Sequence, residues 1–271
     1  MSEPADQFTP PLRTWRPMAL WSVGILLALG LAWFVGAVAV PVWQTQKVVQ
    51  ACLEHRSTYD ECMQQNAVGI QQLGGPAKAA SKLYLYARLP WISWQHGSVA
   101  TSLLQYCGKD SVPALCGLLK HRHREVRERA ARVLWETGDA RATEPLIMAL
   151  RDESWQVREM VVGALGFVRD QRATVPLIGM LGDKDTCVRR NVAISLGWIG
   201  NPAAVEPLQA ALGDRYHDVR TAVAEALGRI GPEAKATLPA LQKLAASDPE
   251  GDVRAAAASA LNKIRGEEPP K

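Results

Sequence analysis

The chain has 271 residues, of which 48% are hydrophobic, and it carries a formal net charge of +4. This length and hydrophobic content are sufficient for one sizeable folded domain. The small net charge excludes a strongly acidic or strongly basic chain and gives no bias toward nucleic-acid binding.

The N-terminal region contains a candidate membrane anchor. Residues 1–17 hold Ser, Pro and Thr with Arg13 and Arg16, and are predicted to be disordered. No charged residue follows until Lys47, and at ~1.5 Å per residue the apolar run 18–42 exceeds a hydrocarbon thickness of roughly 30 Å. A cleaved signal peptide is the alternative, but its apolar region is typically only ~7–15 residues. The run therefore predicts a single transmembrane helix.

The residues around the predicted anchor favour one orientation. Arg13 and Arg16 precede it, whereas Lys47 alone follows closely, which favours a cytoplasmic N-terminus with the remaining chain extracytoplasmic, periplasmic if the organism is bacterial. Four small residues spaced four apart could form a strip for a homodimer or a partner helix, although such residues are common in membrane helices generally. They are Gly24, Ala28, Ala32 and Gly36.

Residues 43–75 are predicted to form a helical hairpin, and residues 76–111 a degenerate helix pair that caps the following repeats. Two cysteine pairs lie here, Cys52 with Cys62 and Cys107 with Cys116, each flanking a predicted turn. Disulfides across these turns would need an oxidising compartment, which the predicted orientation supplies. Buried thiols in a reduced protein are the alternative.

Residues 112–265 contain one motif five times. A Val-Arg pair recurs at intervals of 31, 31, 31 and 34 residues, with a Pro before it and a Leu after it. A fixed period of this size is typical of a solenoid. The pairs begin at Val126, Val157, Val188, Val219 and Val253.

Each repeat is predicted to contain two short helices, A and B. In the unit that starts at Thr143, this threonine can cap helix A and Pro145 falls in its first turn. Apolar residues at helical spacing then give each helix one buried face. Helices this short are unstable alone, so the repeats must stabilise one another by stacking. The final residues, 266–271, are a polar, Pro-rich tail that is predicted to be disordered.

An acidic residue in the turn between the helices and an arginine at the start of helix B recur together. The carboxylate could accept hydrogen bonds from helix B amides and from an arginine of its own or the neighbouring unit. A structural ladder is the favoured interpretation, and anion binding the alternative. The residues are Asp152, Arg158, Asp183, Arg189, Asp214, Arg220, Asp248 and Arg254.

These repeats resemble the HEAT-like repeats of the phycobilisome-lyase type, on motifs such as Val188-Arg189 followed by Ser195-Leu196-Gly197. The resemblance covers somewhat more than half of the chain and implies an α-solenoid. No catalytic residue of that family maps onto this sequence. The predicted fold class is all-α: an α-solenoid of HEAT-like helix pairs preceded by a single N-terminal transmembrane helix and a helical hairpin.

Residues that depart from the repeat pattern are the candidates for binding a protein partner. Trp155, Phe167 and Trp198 stand at positions that are usually polar, so they could form an exposed patch, or they could pack between helix ends. The run that includes His121, Arg122 and His123 could contact anionic lipid or an acidic partner, or it could simply be solvated.

No nucleophile with a base, no phosphate-binding glycine loop and no paired metal ligands occur in the sequence, so we expect neither an enzyme nor a cofactor or metal site. The favoured function is a membrane-tethered scaffold or adaptor that binds a protein through its solenoid surface. The alternative is a lyase-like or assembly-accessory protein that handles a bilin or another prosthetic group. The anchor and the balanced charge argue against nucleic acid as a partner.

Overall fold

The computed structural model describes residues 40–54, 70–89 and 94–266, and it contains helices but no strands in these ranges. Among these residues, no helix combines the length and the hydrophobicity that crossing a bilayer requires. The anchor predicted over 18–42, with its strip Gly24, Ala28, Ala32 and Gly36, lies outside the described residues up to position 39. The same holds for Cys62, the side chain of Cys52 and the tail beyond Gly266.

Among the described residues, three α-helices precede the repeats: α1 (Val40–Glu54), α2 (Pro76–Ala87) and α3 (Trp94–Leu103). Helix α1 crosses the predicted boundary between the anchor and the hairpin, because it begins two residues before Val42. It contacts both α2 and α3, and α3 contacts the first helix B of the repeats.

Ten helices alternate through the repeats, as the 31-residue period predicts. The A helices are α4 (Val112–Leu118), α6 (Thr143–Ala149), α8 (Thr174–Gly179), α10 (Val205–Ala211) and α12 (Leu238–Ser247). The B helices are α5 (Arg124–Thr137), α7 (Trp155–Val168), α9 (Thr186–Ile199), α11 (His217–Ile230) and α13 (Gly251–Arg265). Each B helix contacts the next one, so the prediction of an all-helical solenoid is confirmed.

The repeated apolar residues lie in one continuous core. The valine of each Val-Arg pair is at most 1% exposed, and so are four of the five repeated leucines. Burying side chains of this size stabilises the fold by about 1.5–3 kcal/mol each, which is why short helices hold together only as a stack.

Each of the first three B helices ends in a left-handed residue, and a turn of 3-10 helix leads into the next A helix. Asp139, Asp170 and Asn201 cap these 3-10 turns by accepting the backbone N–H two residues later. Thr143 does not cap α6 as the sequence suggested. Its hydroxyl instead donates to Asp170 Oδ2 of the next unit at 3.0 Å.

The disulfide predicted between Cys107 and Cys116 is wrong, because both are free thiols. The prediction required a hairpin turn over 108–112. The helical backbone does break at Gly108 (φ 54°, ψ −139°), between residues 104–107 and the short 3-10 stretch that leads into α4. Cys107 lies immediately before this break and Cys116 lies within α4, and the two thiols are not joined across it. Burial raises the pKa of each thiol to about 11, so both are held as neutral thiols.

Candidate functional site

The acidic turn residues and the arginines of the B helices pair between neighbouring units. Arg158 donates from Nε to Asp183 Oδ2 and from Nη2 to Asp183 Oδ1, both at 2.8 Å. The same two-pronged contact joins Arg127 to Asp152, Arg189 to Asp214 and Arg220 to Asp248. Each arginine thus ties its own B helix to the turn of the next unit.

Each arginine–aspartate pair, which we call a rung of the ladder, also forms hydrogen bonds with the backbone. Nη1 of Arg158 donates to the carbonyl of Asp152, and Asp183 accepts the N–H of Asp185 at 2.8 Å. Arg158 is 5% exposed. The guanidinium of Arg158 is thus engaged by a carboxylate and by backbone carbonyls at the same time. The hydrogen bond from Arg220 lowers the pKa of Asp248 despite its burial, which keeps that rung ionised.

The ladder differs at its two ends. Arg127 also belongs to it. Its own turn carries His121 where the other units carry aspartate, so the sequence pattern did not assign Arg127 to the ladder. Arg254 is the last arginine of the ladder. It donates to the backbone carbonyls of Asp248 and Pro249 at 2.7 and 2.9 Å.

His121 takes over the capping role of the missing aspartate. Its Nδ1 accepts the N–H of His123 at 3.1 Å, so its Nε2 carries the proton and donates to the Ala87 carbonyl at 3.0 Å. Burial lowers the pKa of His121, which favours this neutral form. His123 instead accepts from Arg122 Nε at 3.0 Å. His121 therefore links the end of α2 to the first repeat, and the side chain of Arg122 is exposed.

The surface formed by the B helices contains an apolar groove that the sequence patterns did not reveal. Trp135 stands where the next three repeats carry Gly166, Gly197 and Gly228. Its ring turns toward α7 and lies against Gly163, so closely that a Cβ on that glycine would be 2.8 Å from the ring. The residues at the position of Gly163 in the neighbouring repeats are larger: Arg132, Ile194 and Glu225. Trp135 is larger than the residues at its repeat position and Gly163 is smaller, so the two exceptions compensate each other. This pairing of exceptions is the sequence signal that could have found the groove.

Phe167 forms the other wall of this groove. It is 52% exposed, and its ring lies over the left-handed Gly138 that ends α5. Together with Met160 and Trp135 it lines a volume of about 500 Å³ between α5 and α7. Arg132 and Glu136 line the α5 side. We refer to these five residues as the B groove: an apolar floor with one cation and one carboxylate on its rim.

The three aromatics predicted as a patch divide into two groups. Trp155 opens α7 and Phe167 lies near its end, so twelve residues of helix separate them by about 18 Å. Trp198 occupies the position of Phe167 one repeat further along, on a helix that packs directly against α7. Adjacent packed helices lie about 8–10 Å apart. Trp198, half-buried, therefore lies one helix beyond the B groove, and Trp155 lies at the opposite end of α7.

The polar part of the B-helix surface lies nearer the starts of these helices. Asn191 Nδ2 donates to Glu159 Oε1 at 3.0 Å, linking α9 to α7. Burial raises the pKa of Glu159, and Arg190 opposes that shift. Across the described ranges, no cluster of three or more His, Cys, Asp or Glu residues could hold a metal ion. The chemistry of the groove is that of a contact surface with an apolar anchor point.

Comparison with solved structures identifies the fold. An engineered protein from a structural genomics consortium has a TM-score of 0.52 at 22% identity, covering 82% of this chain and 96% of that chain. A designed armadillo repeat protein in complex with the peptide (KR)4 has a TM-score of 0.51 at 20% identity, covering 80% and 98%. The complex of CpcE and CpcF of phycocyanin lyase from Nostoc reaches only 0.42 at 20% identity, covering 80% and 94%. No curated protein matches the sequence.

The first two likenesses and the stacked helix pairs define an α-solenoid of the HEAT and armadillo type. The family model for HEAT repeats matches residues 98–157, 112–190, 143–227 and 176–262, which together span more than half of the sequence. The chain belongs to the HEAT-repeat family.

Proposed function

We propose that this protein is a membrane-tethered scaffold that binds an apolar segment of a protein partner in the B groove. The observation that carries the proposal is the exposed Phe167, which with Trp135 and Met160 forms an apolar floor on the B-helix surface. Exposed aromatic residues at the centre of a pocket are where binding energy concentrates. The anchor at residues 18–42 and an extracytoplasmic solenoid belong to this proposal.

The shape of the site supports a protein ligand. The groove runs between two rigid helices, so binding would require little ordering of the scaffold. Arg132 and Glu136 lie one helical turn apart on its rim and would fix the direction of a bound segment through opposite charges. Solenoid surfaces lend themselves to extended ligands, and the designed armadillo protein above is seen with a peptide bound. Trp198 would contact the same segment one repeat further along.

A peptide-display selection against the full chain in nanodiscs tests the proposal. We expect the selected peptides to share a large apolar residue, and we expect Phe167→Glu to weaken their binding at least about tenfold. Glu is the residue of the first repeat at this position, Glu136, so the fold should be retained.

Val175→Glu is the matched control. Val175 is 74% exposed on helix A α8, and the corresponding residues of neighbouring repeats are Glu144 and Glu206. The control adds the same charge on a different surface, and binding should survive it. Peptides that bind both variants as tightly as the original protein would show that the B groove is not the binding site.

A further inference from the structure

Helices α1 and α2 form a second exposed surface, at the N-terminal end of the solenoid. Trp43 and Leu85 are each 57% exposed, whereas most large apolar side chains in the described residues are buried or partly buried. Neither residue belongs to the repeats or to the B groove. Their exposure is therefore unexplained by the repeat architecture.

The two helices bring these apolar residues next to lysines. Lys47 Nζ lies 3.9 Å from the centre of the Trp43 ring. Lys82 Nζ donates to Gln44 Oε1 at 3.4 Å, which joins α2 to α1 beside Trp43. Lys78 and Leu85 lie one turn on either side of Lys82, so they share its helix face. The N-terminal surface is thus Trp43, Lys47, Lys78, Lys82 and Leu85, with exposed Arg88 one turn beyond Leu85.

The charge of this surface is one-sided. Within residues 40–54 and 70–89 there are four cations, Lys47, Lys78, Lys82 and Arg88, against a single carboxylate, Glu54. The whole chain, with 31 basic and 27 acidic side chains, is nearly balanced. In the sequence as a whole, residues 40–89 carry five basic and three acidic side chains, so this part of the chain remains net positive directly after the uncharged run that ends at Gln46.

We infer that the N-terminal surface lies against the anionic headgroups of the bilayer that holds the anchor. This inference rests on the proposed function, because it needs residues 18–42 in the membrane. Tryptophan and lysine are the residues that settle at the boundary between headgroups and acyl chains, and each lysine near an anionic surface adds attraction. Nucleic acid would also attract the cations, but it would not explain Leu85 or the uncharged run directly before α1. The bilayer accounts for all three.

A second attachment of this kind has a mechanical consequence. One anchor alone would hold the solenoid at the membrane only through α1, which begins within the predicted anchor. Contact through α1 and α2 would hold the first helices at the membrane and give the repeats a defined orientation toward their partner. Because the attraction is electrostatic, it should depend on anionic lipid and weaken with salt.

Lysine acetylation with mass spectrometry measures this contact on the full chain in liposomes. In vesicles with about one third phosphatidylglycerol, we expect Lys47, Lys78 and Lys82 to react roughly three- to tenfold more slowly than in pure phosphatidylcholine vesicles. Lys184 and Lys243, exposed in the repeats, should react equally in both. High salt should remove the difference.

Lys78→Glu provides the matched variant, since it leaves the contact between Lys82 and Gln44 in place. It should restore much of the reactivity of Lys47 in anionic vesicles, whereas Lys243→Glu should not. Equal reactivity of Lys47 and Lys82 in both kinds of vesicle would overturn the inference. Extraction of the chain from vesicles by alkaline carbonate is a separate outcome, which would overturn the anchor and with it the proposed function.

Discussion

Arg169 has a left-handed backbone conformation, and the neighbouring repeats carry glycine at the same position. It is the one non-glycine residue with positive φ among the described residues, at φ 57°, and the corresponding Gly138 and Gly200 have φ 57° and 70°. A side chain in this region costs about 1 kcal/mol. We expect Arg169→Gly to raise the free energy of unfolding by about that amount in urea titrations, and Gly200→Arg to lower it similarly. A destabilised Arg169→Gly would show that the guanidinium makes a contact of its own.

Two buried threonines offer a matched pair at the same scale. Thr143 donates to Asp170, whereas the buried hydroxyl of Thr174, one repeat later, has no hydrogen-bond partner; there the sequence has Asn201 at the position of Asp170. Replacing Thr143 with Val should therefore cost about 1 kcal/mol, whereas Thr174→Val should be neutral or stabilising, because a buried hydroxyl without a partner is unfavourable. Thermal unfolding of both variants measures the difference. Equal losses would mean that Thr174 is hydrogen-bonded through water.

Residue-level predictions from the sequence succeeded where a position repeats and failed where it does not. The recurrence of Asp and Arg indicated a pairing, but a one-dimensional pattern could not decide between the same unit and the next. Arg127 was missed because His121 replaces the acidic residue in its own turn. Trp135 was missed because its role depends on Gly163 in the next unit, so the two departures from the repeat pattern had to be considered together.

At the scale of helices, the B helices approach one another through small residues. A Cβ on Gly197 would lie 2.8 Å from the Cα of Ala226, and one on Gly166 would lie 2.8 Å from the Cα of Ser195. Because the obstacle is backbone, the helices would have to move apart. We expect Gly197→Ala to destabilise the protein by about 1–3 kcal/mol in urea titrations.

Gly179 is the control for this prediction. It ends α8 with a helical backbone, and an added Cβ there would meet nothing within 4 Å. Gly179→Ala should therefore be neutral or stabilising by up to about 1 kcal/mol, because alanine is the better helix former. If Gly197→Ala were equally harmless, the close packing of α9 on α11 would be contradicted.

Helices could be predicted wherever the apolar period was regular, and predictions failed where the chain leaves that period. Residues 104–111 illustrate the reason. Polar residues around Gly108 suggested a turn between two helices, and the helical backbone does break at Gly108, with φ 54° and ψ −139°. The turn does not join Cys107 to Cys116, which are both free thiols. Local composition could not reveal this, because the distance between two side chains across a turn depends on packing against other helices, here α2.

At the scale of the whole molecule, each repeat is stabilised by its contacts with the neighbouring repeats. Each B helix contacts its sequence neighbours, and each rung joins one unit to the next. In such a stack the total stability is a sum of repeat and interface terms, so weakening one internal interface can divide the solenoid into blocks that unfold separately. The middle of the ladder is the sensitive place.

Arg189→Ala tests this coupling. It would leave the carboxylate of Asp214 largely buried without its guanidinium partner, which typically costs about 3–5 kcal/mol. Arg254→Ala removes an arginine with the same backbone contacts but no carboxylate, so we expect a loss of only about 1 kcal/mol. Hydrogen exchange should show α11 and α13 opening separately from α5 and α7 in Arg189→Ala, and opening together with them in Arg254→Ala. Uniform exchange in both variants would mean that apolar stacking alone couples the units, and the ladder would then serve to set the register between neighbouring repeats.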